Sequence, residues 1–155
     1  MQRRRSLALF FILLVSFPCC TLAGNDPAPP GLIPITLPGS TIIYAELADT
    51  PQKRAEGLMY REHLGADRGM LFTFPQAQAW VFWMKNTKIS LDLIWMNEKK
   101  QIIHMEQNVP ICTRTDDSCP QYRPNNDALY VLELTGGRAE SLKLQRGSKL
   151  QFRVP

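Results

Sequence analysis

From Ile35 onward the chain is a succession of short β-prone runs, and nothing else in it restricts the fold as much. "ITLPGSTIIYAEL", "GMLFTF", "AWVFWMKN", "LDLIWMN", "QIIHMEQNV", "ALYVLELT" and "KLQFRV" are rich in β-branched and aromatic residues, with turn-like segments between them. Pro38-Gly39 suits a type II turn and divides the first run into a hairpin. Many short strands without βαβ alternation predict a mainly β protein, a single-domain antiparallel β-sandwich or barrel with one or two short helices. In "DTPQKRAEGLMYREHL", Thr50 suits an N-cap and Pro51 the first helical position, with Gly57-Leu58 limiting the helix. A second short helix is expected in "GGRAESLKLQRGS", with Gly147 ending it.

The N-terminus has a different character. Arg3, Arg4 and Arg5 precede an apolar run from Leu7 to Phe17, followed by Thr21-Leu22-Ala23 before Gly24. A basic segment, a short apolar segment and a small-residue cut make residues 1–23 a signal peptide, too short for a permanent span. We expect cleavage near Ala23 and a periplasmic or secreted product. A lipid anchor on Cys19 or Cys20 is the lesser alternative, because Pro18 or Cys19 stands where a small residue is expected. Residues 24–34, rich in proline, read as a tether, and 35–155 as one β-rich domain.

Removing the leader changes two counts. The net charge of +4 comes from 18 basic against 14 acidic residues; without the three leader arginines it is 15 against 14, or +1. No clustered basic run survives, which argues against a nucleic-acid partner. Of four cysteines, Cys112 and Cys119 remain, in "CTRTDDSC". An even pair on a polar loop of an exported chain reads as a disulfide, worth roughly 2.5 kcal/mol by chain entropy. The rival metal pair lacks a nearby histidine or third cysteine.

The stretch "FWMKNTKISLDLIWM" carries the main candidates for chemistry. Lys85, Asn86 and Thr87 interrupt an apolar run, and Asp92 sits between two leucines. Pairing 80–86 with 91–97 as a hairpin would set Lys85 opposite Asp92, although Lys88-Ile89 is a poor turn without Gly or Asn. One reading is a buried ion pair with a structural role. The other is a recess in which Lys85, Asn86, Thr87 and Asp92 converge with Arg54 or Arg61 inside an apolar wall, as in a small-ligand pocket.

Other residues favour the core. Met59, Met70 and Met84 lie in apolar runs, where methionine fills gaps, so copper handling by Met59, Met70, Met84, Met96, Met105 and His104 is the weaker reading. Trp80, Trp83 and Trp95 could stack on carbohydrate, but their strands look buried on both faces. His63 reads as exposed and His104 as lying on a strand's polar face. Hydrolase and phosphate-loop motifs are absent, which lowers the expectation of an enzyme.

"AELADTPQKRAEGLMYR", "RGMLFTF", "FWMKNTKISLDLIWM", "CPQY" and "YVLEL", in this order, resemble the bacterial and archaeal family known as domain of unknown function 192. The likeness runs from about Ile42 to Val154. It implies a compact sandwich-like or barrel-like β domain, often exported, with no established activity. Arg54, Gly57, Leu58, Met59 and Arg61 match its helix motif; Phe82 to Thr87, Leu91 and Asp92 match its central motif. Two turns depart from the family pattern: Glu98-Lys99-Lys100, and Gly147-Ser148 where an Asp often follows the glycine.

The expectation is therefore a non-enzymatic exported module without a cofactor or resident metal. It would bind an unknown small molecule or envelope protein through Arg54, Arg61, Lys85, Asn86, Thr87 and Asp92. A small hydrolase with Asp92 as general base is the alternative.

Overall fold

The computed structural model describes residues 28–114 and 116–155. The signal peptide expected over 1–23 and the start of the tether (24–27) lie outside the described residues. The first two residues of β1 fall inside the expected tether: β1 (Ile33–Thr36) and β2 (Ile42–Ala48) form the expected hairpin. Ser40 N–H donates to Leu37 C=O across Pro38-Gly39, and Gly39 takes φ 82°, a conformation open to glycine and costly for most residues.

The chain then makes a crossover that its pattern did not announce. Helix α1 (Pro51–Glu56) has Thr50 as N-cap, accepting from Lys53 N–H, and Pro51 at the first position. It leads to β3 (Arg68–Gln78), which pairs with β2 in parallel. A parallel pair needs a crossover, and here the helix is only six residues long, too short to show helical periodicity. The remaining elements are β4 (Phe82–Trp83), β5 (Leu91–Met96), β6 (Ile102–Val109), β7 (Gln121–Tyr122), β8 (Ala128–Thr135) and α2 (Arg138–Ser141). One six-stranded sheet has the order β1-β2-β3-β8-β5-β6, and β4 pairs with β7 in a small second sheet.

The protein is thus mainly β with two short helices, as expected, but the large sheet is mixed rather than wholly antiparallel and is not closed into a barrel. Segment 148–151 touches both of its edges through isolated bridges, Thr36 to Gln151 and Gln101 to Lys149, without a continuous ladder. "KLQFRV" accordingly forms no strand of its own. Nor does Gly147 cap α2, which ends at Ser141 with Leu142 as its C-cap; Gly147 sits in a later turn at φ 94°.

The hairpin of 80–86 with 91–97 does not form, for a physical reason. β5 is paired on one side by β6 and on the other by β8, so no edge is left for 80–86. That segment crosses a face of the sheet instead, and Trp95 Nε1 donates to Trp80 C=O at 2.9 Å to hold it there.

Both faces of the sheet are covered, as a doubly apolar β5 requires. Ile94, Met96, Leu132 and Leu134 pack on one face with Ile35, Ile43, Leu150 and Phe152. Leu91, Leu93, Trp95 and Val131 pack on the other with Leu58, Phe72 and Met84. The first face lies under the C-terminal segment, the second under the α1 region and the 80–87 segment.

Candidate functional site

Asp92 belongs to the first face, and its surroundings are closed. It is wholly buried, one carboxyl oxygen accepting Asn108 N–H at 2.8 Å and Gly137 N–H at 2.9 Å. The other accepts Ala139 N–H at 2.6 Å. Three donors converge on an acceptor-only group, tying the end of β6 and the start of α2 to the centre of the sheet. The expected pairing of Lys85 with Asp92 is not found, because the two residues are on opposite faces. A general base also needs reach to a substrate proton, and Asp92 is sealed behind backbone. The hydrolase reading loses its base.

The other expected residues divide. Arg54 donates to Asp49 C=O at 2.7 Å and Thr73 C=O at 2.8 Å, with its guanidinium 5.4 Å from the Phe74 ring centre. Arg61 makes a two-pronged pair with Glu46 at 3.0 and 2.7 Å on the surface. Asn86 adopts φ 56°, accepts Tyr60 N–H at its carbonyl and donates through Nδ2 to Tyr60 Oη at 3.0 Å. These three fix backbone and surface, and Arg54 also lines a small cavity together with Lys85 and Thr87. The Lys85 ammonium pairs with Asp117 of the Cys112–Cys119 disulfide loop and lies 5.3 Å from the Trp83 ring centre. Thr87 is buried, its hydroxyl donating to Lys85 C=O at 3.4 Å.

The acid on this side is Glu133, which the sequence reading passed over within "ALYVLELT". It is 5% exposed, and its Oε2 has no hydrogen-bond partner among the described residues. Burial, with no compensating charge, raises its pKa from the ordinary 4.5 to about 8. A buried, unpaired carboxyl group is costly and calls for an explanation in function. The strands around it are tightly set: a Cβ at Gly69 would lie 2.8 Å from the Glu133 carbonyl oxygen, so only glycine lets β3 approach β8 here.

Glu133 borders a cavity of about 30 Å³ together with Gly57, Phe72, Phe82, Lys85 and Thr87. That is room for one water or one hydroxyl group. Arg54, Ala55, Phe72, Phe82 and Trp83 line both this recess and a wider surface groove of about 490 Å³. The groove adds Phe74 and Trp80, stacked with ring centres 4.0 Å apart. Of the three tryptophans, Trp95 is core as expected, Trp80 is half-buried, and Trp83 is 36% exposed. The expectation of a buried Trp83 is therefore corrected: 80–83 lies on the sheet as a covering segment rather than within it. Met70, Met84 and Met96 are buried in the core, His63 is exposed, and His104 pairs with Glu106 at 3.1 Å.

No curated protein matches this chain. Among solved structures it is similar to a protein of unknown function from Novosphingobium aromaticivorans DSM 12444, at 29% identity and a TM-score of 0.71. The match covers 83% of this chain and 94% of that one. It is also similar to a protein from Sinorhizobium meliloti 1021 described as a "putative transcription regulator", at 27% identity and a TM-score of 0.67, over 83% and 98% of the two chains. Residues 34–152 match the model of DUF192, described as "Uncharacterized ACR". That span holds both the closed carboxyl site of Asp92 and the open recess of Glu133, and over it the chain belongs to the DUF192 family.

Proposed function

We propose that the protein is a non-enzymatic, exported binding module for a small ligand. Its site is the recess over Glu133 and the aromatic groove outside it, not a Lys85–Asp92 pair. The observation that carries this is the buried Glu133 carboxyl oxygen, without a partner among the described residues, in a residue that borders a cavity Lys85 and Thr87 also line. A few polar groups at the end of an apolar cleft are the usual make-up of a small-ligand site. Export rests on the leader composition. The regulator description of the Sinorhizobium protein is not carried over, since 15 basic against 14 acidic residues beyond Ala23 give no basic surface excess.

Screening a fragment library by 1H–15N NMR on the mature protein tests the site. Shifts should concentrate on the amides of Gly57, Trp83, Lys85 and Thr87. Shifts confined to other places, such as the cleft between His63 and Ser141, would remove this reading.

A further inference from the structure

The chemistry of the recess and the shape of its approach together narrow the ligand class. We infer that the site takes a saccharide, one sugar ring lying against Trp83 with a hydroxyl group inserted over Glu133. This rests on the binding-module reading and specifies its ligand.

The inner cavity accepts a group of about one water's volume, and it is bordered by Glu133, whose Oε2 has no partner among the described residues, and by Lys85, Thr87 and Arg54. A hydroxyl group both donates and accepts, so it can pair with the Glu133 carboxyl group in either protonation state. A ligand ammonium would meet the Lys85 and Arg54 cations that line the same recess, and a carboxylate, with two oxygens, is too large for a cavity of about one water's volume. The neutral, two-way hydrogen-bonding group fits best.

The wall supports the same conclusion. Trp83, with more than a third of its surface exposed, lies beside the recess, and the Phe74–Trp80 stack extends the apolar surface along the groove. A contiguous apolar patch rimmed by polar residues marks a contact surface. A pyranose whose hydroxyl groups are equatorial has a flat C–H face that covers an indole while its rim hydroxyls stay free to hydrogen-bond. Glucose and N-acetylglucosamine in β-linkage have this shape. α-Linked chains curl away from a flat wall. The groove, about 490 Å³, is of a size for one or two such rings.

Titrating the 15N-labelled mature protein with cellohexaose and chitohexaose, with maltohexaose as the curled comparison, tests this. A β-linked glycan should shift the Trp83 indole and the Lys85 and Thr87 amides more strongly than maltohexaose does. Trp83→Ala and Glu133→Leu should each weaken binding by about tenfold or more, as expected where a site is built around a ligand hydroxyl. Glu133→Leu removes an unpaired buried group and keeps an apolar side chain, and Trp83→Ala alters an exposed position, so two independent variants report. Glycan binding unaffected by both substitutions would overturn the inference. If fragments map to the recess but no glycan does, the saccharide assignment falls and the binding module stands. If neither maps there, both fall.

Discussion

Two acids of this protein occupy neighbouring strands one step apart, Asp92 on β5 and Glu133 on β8, where Leu93 stands opposite Glu133 and Leu134 opposite Asp92. Both sit between two leucines, and both are buried. On the first face, Asp92 is met by three backbone N–H groups; on the second, Glu133 borders a cavity and has an oxygen with no partner among the described residues. Two carboxylic acids in the same local pattern do opposite work. A buried acid with all its acceptors filled is a fastening, whereas one left unfilled at the end of a groove is where a ligand can complete the hydrogen bonding.

The largest expected effect tests the fastening. Asp92→Ala strands the N–H groups of Asn108, Gly137 and Ala139, and unpaired buried donors cost about 1–3 kcal/mol each. Urea unfolding should show a loss of about 5 kcal/mol, with Asp92→Asn intermediate because one oxygen acceptor remains. A loss below about 1 kcal/mol would mean Asp92 is not what holds α2 to the sheet.

Next in size is the pH dependence of Glu133. Its folded pKa of about 8 lies above the ordinary 4.5, so between these values the folded protein keeps a proton that the unfolded chain releases. Stability from this group is therefore full below pH 4.5 and falls as pH rises through 8. At pH 8 the loss is on the order of 4 kcal/mol. Glu133→Gln stays neutral at every pH, so it should match the natural protein near pH 4.5 and exceed it in stability at pH 8. Parallel pH profiles for the two proteins would show that the carboxyl is not held neutral, and the contrast with Asp92 would shrink.

The strands, the Pro38-Gly39 hairpin and the Thr50-Pro51 helix start were legible because each follows from local chemistry. Strand alternation alone puts Leu91, Leu93 and Trp95 on one face of β5, and Phe82 and Met84 pack against it. The partner of β5 was not legible: strand pairing is decided by which edges remain free, and both edges of β5 are taken by segments distant in sequence. That error set Lys85 against the wrong acid. "LDL" drew attention because it stood beside Lys85, while "LEL" carried the same signal without a neighbouring base. Two-residue periodicity puts Asp92 with Ile94 and Glu133 with Val131, but only the register shows that these are opposite faces. The parallel β2–β3 crossover was hidden by the brevity of α1.

An exposed acid completes the comparison and gives its smallest expected effect. Glu46 and Arg61 form a two-pronged pair with about two-fifths of each side chain exposed, at 43% and 37% for Arg61 and Glu46. The hydrogen bonding that Arg61 donates to Glu46 is the leading cause that raises the Arg61 pKa, which identifies the partner without making the pair strong. Water solvates both ions when they separate, and salt screens what attraction remains. Arg61→Ala should therefore cost about 0.5 kcal/mol in dilute buffer, and less in 1 M salt. Neither the Glu133 pH profile nor ligand-induced shifts at Thr87 should change. If Arg61→Ala instead cost as much as Asp92→Ala, hydrogen-bond geometry rather than burial would set what an acid contributes here. The contrast between Asp92 and Glu133 would then need a cause other than the filling of buried acceptors.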